Sequence, residues 1–195
     1  MKKHLKAEER KKLICEAAKD VFLQKGFQNT TMEDLMHATG LSKGGLYYHY
    51  RNKEAIFFDL LDQGNMKRFK LSSDFYKKHK NLSREDLIVE SVLLKMVDQN
   101  EYKSLYGMLL IEAKTNKKME SFRQKIVSQS LKSFEHFVND VGFFELKVFL
   151  NEDFMMLIDS FVLASRYLDL KKMYTGQSNL LRNIIRDYLK EHLKN

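Results

Sequence analysis

Residues 30–53, TTMEDLMHATGLSKGGLYYHYRNK, decide the fold of this chain. Thr31 is placed to cap a helix by accepting the backbone N–H of Asp34, and Leu35, Met36 and Ala38 give that helix its apolar positions. Gly40 ends it, because glycine takes the left-handed conformation of a helix stop without steric cost. Leu41 then tucks toward a core and Ser42 caps the next helix, Lys43 to His49, which is only about two turns long. A short helix, a tight glycine turn and a second short helix outline a helix-turn-helix, whose second helix enters the major groove of double-stranded DNA.

The make-up of that second helix agrees. Gly44 and Gly45 lie in a helix interior, where each costs about 1 kcal/mol relative to alanine. The return is close approach of the backbone to base edges or phosphates, with Lys43, Tyr47, Tyr48 and His49 supplying charge, hydroxyls and ring faces around it. Ser42, the first-turn amides and Lys53 are candidates for phosphate. Leu46 and Tyr50, four residues apart, suit the core side.

Over roughly residues 8 to 54 the chain resembles the DNA-binding domain of TetR-family transcriptional regulators. The family pattern is a Thr-capped helix, a Gly turn and a recognition helix ending Leu-Tyr-x-His-Phe, followed by a Lys. Here it reads L-Y-Y-H-Y-R-N-K, with Tyr50 where the family usually has Phe, so its hydroxyl needs a partner. The resemblance carries over Thr31, Lys43, Gly44, Tyr47, Tyr48, His49 and Lys53 as DNA contacts, with Ser42 and Gly45 completing the set. Thr31, Tyr48, His49 and Lys53 are expected mainly on phosphate, and Lys43, Gly44 and Tyr47 on bases. It also implies a homodimeric repressor released from a pseudo-palindromic operator by a small, largely apolar effector. The rival is an architectural or cell-division DNA-binding protein of the same fold with no effector.

Composition narrows the class. The net charge is +8, and residues 1–53 hold 11 Lys/Arg against 6 Asp/Glu, leaving 23 against 20 for the remainder. The basic excess therefore concentrates where the helix-turn-helix lies. With no proline and 8 glycines in 195 residues, long helices run uninterrupted and sheet turns have few signals, so the expected fold is all-α. The expected architecture is an N-terminal three-helix bundle (1–53) plus a larger helical ligand-binding and dimerisation domain (54–195). The single cysteine, Cys15, excludes an intrachain disulfide and a cysteine-based metal site. No run of about 18 apolar residues and no signal-peptide core is present, so the expected location is cytoplasmic, with no membrane partner. No nucleophile elbow, phosphate-binding glycine loop or metal-spaced His/Cys set is found, so no catalytic residue, metal or cofactor is assigned and the chain is not expected to be an enzyme.

Taken in order, a basic tail (Lys2, Lys3, His4, Lys6) precedes a first helix from about Glu8 to Lys25, with the stripe Leu13, Ile14, Ala17, Ala18, Val21 and Phe22 and a stop at Gly26. After the recognition helix, Asn52 caps a long helix from Lys53 toward Tyr76, read as the lever between the domains. Further helices are expected from Ser83, over Lys103–Thr115 and over Lys118–Asp140. The last two are expected over Asn151–Tyr174 and Ser178–Leu193, around the turn Thr175-Gly176-Gln177. Aromatic and Met enrichment makes Tyr102, Tyr106, Met108, Phe122, Phe134 and Met155 the candidate effector pocket, with the carboxylates Glu112 and Asp159. Asp159 and Arg166 are also read as an interface rim pair. The broad apolar faces of the last two helices place a four-helix dimer interface on Phe154, Ile158, Phe161, Val162, Leu181, Ile184, Ile185 and Tyr188.

Overall fold

In the computed structural model, residues 7–97, 100–165, 167–170, 172 and 178–192 are described. The expected basic tail, Arg166, the turn at 175–177 and Leu193 lie outside them. The described residues are helical, with no strand among them, and fall into two compact units that divide between Gly64 and Asn65.

The first unit holds α1 (Ala7–Asn29), α2 (Met32–Thr39), α3 (Lys43–His49) and the first turns of α4 (Lys53–Lys78). Gly26, at φ +74°, breaks α1 where the sequence places its end, and the chain reverses so that Phe27 returns to the core. Phe22, Phe27 and Phe57 then form one aromatic cluster with centroids 5.0–6.0 Å apart. Ile14, Cys15, Ala18, Leu35, Leu46, Ile56 and Leu60 close around it, whereas Leu13, expected on the buried stripe, faces solvent. Tyr50 is buried, and the partner its hydroxyl requires is Asp59: the phenol donates to the carboxylate at 2.7 Å, with the Cys15 thiol 3.4 Å away. Burial holds the Cys15 thiol above its ordinary pKa, which makes it packing rather than a nucleophile.

The second unit takes the rest of α4, then α5 (Arg84–Val97), α6 (Glu101–Ala113), α7 (Lys117–Val141), a short 3-10 helix (Phe144–Leu150), α8 (Glu152–Ala164) and α9 (Ser178–His192). Side-chain caps set the starts: Ser83 accepts from Asp86 N, Asn100 from Tyr102 N, Asn116 from Met119 N and Asn151 from Phe154 N. The α8 helix stops at Ala164, earlier than its apolar run suggested. Ser165 turns its hydroxyl back onto Val162 O at 2.7 Å and Leu170 is buried beyond it. The core gathers Leu87, Ile88, Val92, Val138, Phe149, Phe154, Ile158, Val162, Ile185 and Leu189. Ion pairs tie α9 along α5: Arg182 to Glu90, and Arg186 to Glu85 and Asp86 at 3.0 and 2.7 Å.

This packing corrects the expected interface residues. Phe154, Ile158, Val162, Leu181 and Ile185 are buried inside the unit, and Phe161 and Tyr188 pack against the same core. Tyr188 also stacks on Phe149 and receives a hydrogen bond from Asn151. The stripe with the strongest apolar repeat is the inner face of each helix. Of the residues expected at the interface, Ile184 alone is well exposed, at 44 %, together with Met156 (66 %), Leu157 and Leu180 (57 %). Ile185→Glu buries an unpaired carboxylate in a fully enclosed site, so it is expected to destabilise the second unit by several kcal/mol. Urea unfolding followed by circular dichroism measures this.

Candidate nucleic-acid interface

The recognition segment is set by local chemistry. Thr31 Oγ1 accepts Asp34 N at 3.1 Å while the Asp34 carboxylate accepts Thr31 N at 2.9 Å, a complete capping box. Lys25 donates to the same carboxylate at 2.6 Å. That bond and the capping contacts hold the Asp34 pKa down at about 2. Gly40, at φ +64°, closes α2, and Ser42 Oγ accepts Gly45 N at 3.2 Å to open α3. Leu46 is fully enclosed and Tyr50 nearly so, which anchors α3 by one face.

The opposite face of α3 is open. Ser42, Lys43 and Gly44 are exposed, His49 is half-buried, and Tyr47 and Tyr48 are 43 % and 82 % exposed. The Tyr48 and His49 rings meet edge to face at 5.0 Å. The two glycines differ in kind. A Cβ on Gly45 would lie 3.3 Å from the Ser42 hydroxyl that caps the helix, so the fold itself favours glycine there. A Cβ on Gly44 would meet nothing within 4 Å, so no internal contact accounts for that glycine.

Two candidates have other tasks. The Thr31 hydroxyl both accepts from Asp34 N and donates to Asp34 Oδ2 at 2.9 Å. Lys53, expected on phosphate, turns its ammonium inward to Phe27 O, Gln28 O and Thr30 O at 2.8, 3.1 and 2.8 Å, over the Phe27 ring. With three donors and three carbonyls, the ammonium is saturated.

In the second unit, the expected effector residues separate. Tyr102 and Met108 are buried, and Phe134 leans on the apolar core. Glu112, Phe122 and Met155 are half-buried on α6, α7 and α8. Tyr106 and Asp159 interact electrostatically with each other. Burial raises the Asp159 pKa against the pull of Arg123, Lys95 and Arg68, and burial pushes the Tyr106 phenol up to about 12. The sequence reading missed those three cations. One signal was available for Arg123, which sits four residues after Met119 and three before Ile126, both buried, on the inner stripe of α7.

Residues 14–60 match the family model described as bacterial regulatory proteins, tetR family. Over this stretch the chain is similar to TetR-family regulators. Its likeness to two curated relatives covers about a quarter of the chain. It is 43 % identical over 51 residues to an uncharacterized HTH-type transcriptional regulator, YfiR, of Bacillus subtilis, covering 26 % of this chain and 25 % of that one. It is 37 % identical over 49 residues to the HTH-type transcriptional regulator QacR of Staphylococcus aureus, covering 25 % and 26 %. The chain thus spans about a quarter of the length of the relatives it matches. The fold reaches further: Salmonella enterica GusR superimposes with a TM-score of 0.69 at 18 % identity, covering 96 % of this chain and 99 % of that one. The matched model describes a family of regulatory proteins. Among the described residues no helix is long and apolar enough to cross a membrane, and no His/Cys/Asp/Glu group of metal-binding size occurs.

Lys53→Met removes three charge-assisted bonds to the end of α1 and leaves those carbonyls unpaired. It is expected to cost about 2–3 kcal/mol of stability in the first unit, read as a lower thermal midpoint of tryptic protection for the 1–64 fragment within the full chain. A change under about 0.5 kcal/mol would contradict the assignment.

Proposed function

We propose that this chain is a homodimeric DNA-binding transcriptional regulator, a repressor released from a pseudo-palindromic operator by a small-molecule effector. The observation that carries the DNA-binding part is the outer face of α3. Lys43, Tyr47 and Tyr48 stand exposed beside Gly44, a helical glycine that no internal contact explains. Lys43, Gly44 and Tyr47 read bases; Tyr48, His49 and Ser42 meet phosphate, while Thr31 and Lys53 hold the elements that aim α3. Tyr47→Ala or His49→Ala is expected to lower affinity for DNA from directly upstream of its own gene by at least tenfold, with the oligomeric state unchanged. Fluorescence anisotropy at fixed salt against scrambled DNA measures it. Wild-type affinity in both variants would rule out α3 as the reading element.

Dimerisation uses the outer faces of α8 and α9. Met156, Leu157, Leu180 and Ile184 leave apolar surface open on two helices whose inner faces are already packed. A second copy of the chain covers such a face isologously, and two α3 helices about 34–36 Å apart then read successive major grooves. Met156→Glu with Ile184→Glu is expected to give folded monomers in sedimentation that no longer bind the operator. A folded dimer would move the interface elsewhere.

Release requires an effector with different affinity for the DNA-competent and incompetent dimers. The second unit receives it, with an aromatic and Met-rich interior that accommodates a largely apolar body.

A further inference from the structure

The aromatic residue that ends the recognition segment carries one polar atom more than packing requires. Tyr50 is 4 % exposed, and with Leu46 it anchors the inner face of α3. A phenyl ring would bury the same apolar surface, so the hydroxyl adds nothing to the hydrophobic seal and costs desolvation unless it is bonded. It is bonded. The phenol donates to Asp59 Oδ2 at 2.7 Å, and its oxygen lies 3.4 Å from the Cys15 thiol. Burial holds the phenol pKa well above its ordinary value, so the proton to be donated is in place. Three elements of the first unit meet at this oxygen: α1 through Cys15, the C-cap of α3 through Tyr50 itself, and α4 through Asp59.

The contacts around α3 differ in what they fix. Leu46 is fully enclosed, but an apolar contact is non-directional and sets only how close the helix lies to the core. A hydrogen bond has both a length and a direction. Ser42 supplies one at the start of α3, to Gly45 N at 3.2 Å, from within the same segment. The bond to Asp59 ties the other end to a different helix, nine residues on. Tyr50 follows His49 directly, and its N–H closes α3 on Leu46 O at 3.0 Å. A shift at the phenol oxygen therefore passes straight into the turn that carries Tyr47, Tyr48 and His49. Phosphate attraction tolerates such a shift, because charge acts over a screening length of about 8 Å at physiological salt. Base edges do not, because they are read through short directional bonds.

We propose that Tyr50 and Asp59 are positioning residues for DNA selectivity: from inside the fold, their bond sets the rotation of α3 and so which base edges Lys43 and Tyr47 reach. This rests on the reading of α3 given above as the element that meets bases.

The test measures the affinity of the full chain for DNA from directly upstream of its own gene and for scrambled DNA, by anisotropy at one salt concentration. Tyr50→Phe is expected to lower the ratio of the two affinities by about tenfold, with affinity for scrambled DNA held within about twofold. Asp59→Leu matches it, and the double variant is no worse than either single one. Asp59→Asn keeps the wild-type ratio, because its amide oxygen still accepts the phenol proton. Ile14→Val removes a buried methyl group from the same unit while leaving the bond in place, and it also keeps the ratio. A merely structural role would make Ile14→Val and Tyr50→Phe lose selectivity together. The proposal is overturned by that result, by a wild-type ratio in Tyr50→Phe, by loss of selectivity in Asp59→Asn equal to that in Asp59→Leu, or by loss of both DNAs in step. Hydrogen exchange on the DNA-free chain separates the two levels, since Tyr50→Phe is expected to speed exchange of the amide at position 50 by about tenfold. If that amide loosens but the wild-type chain prefers neither DNA, the base-reading role falls and the hold of the bond on α3 stands. If the wild-type chain selects upstream DNA and the amide is unchanged, base reading stands and the positioning role falls.

Discussion

The ammonium of Lys53 closes the end of α1 from the start of another helix. Its three bonds to Phe27 O, Gln28 O and Thr30 O satisfy carbonyls that the break at Gly26 would otherwise orphan. The same contact fixes the first turn of α4 beside Phe27, whose ring joins Phe22 and Phe57. Thr31 follows directly, so the point where α4 meets α1 is also where α2 begins. The orientation of α3 depends on that junction, because Leu46 and Tyr50 are its anchors and Tyr50 is bonded to Asp59 of α4. A lysine turned into the fold can thus set where the exposed residues point.

Within that frame, the first unit separates residues that serve the fold from residues that serve the surface. Gly45 and Gly44 are neighbours with the same propensity penalty, yet one yields space to the Ser42 cap and the other yields space to nothing inside the protein. Leu46 and Tyr47 make the same division among apolar side chains, the first enclosed and the second exposed. A seven-residue helix with one face so fully anchored has little freedom to turn.

In the second unit, polar side chains pair across helix boundaries. Ion pairs join α9 to α5 and Arg84 to Glu145, and hydrogen bonds join Tyr76 to Ser91, so its polar groups are mostly paired. At Asp159, burial raises the carboxyl pKa against the pull of Arg123, Lys95 and Arg68.

The sequence by itself determined the local structure of residues 30–53, because caps and stops act within three or four positions of chain. Thr31 with Asp34, Gly40, Ser42 with Gly45, and Asn52 with Ala55 each form the contact their spacing dictates. It also determined the helical class, since the absence of proline and scarcity of glycine act on every residue alike. Only the tertiary structure decided which of two apolar faces on α8 and α9 goes inward, because a helix wide in apolar residues carries no mark of which neighbour arrives first. It alone turned Lys53 inward, for a lysine at a helix start looks the same whether its partner is a phosphate or a carbonyl 26 residues away. The charges acting on Asp159 were illegible for the same reason: Arg68, Lys95 and Arg123 lie on three other helices.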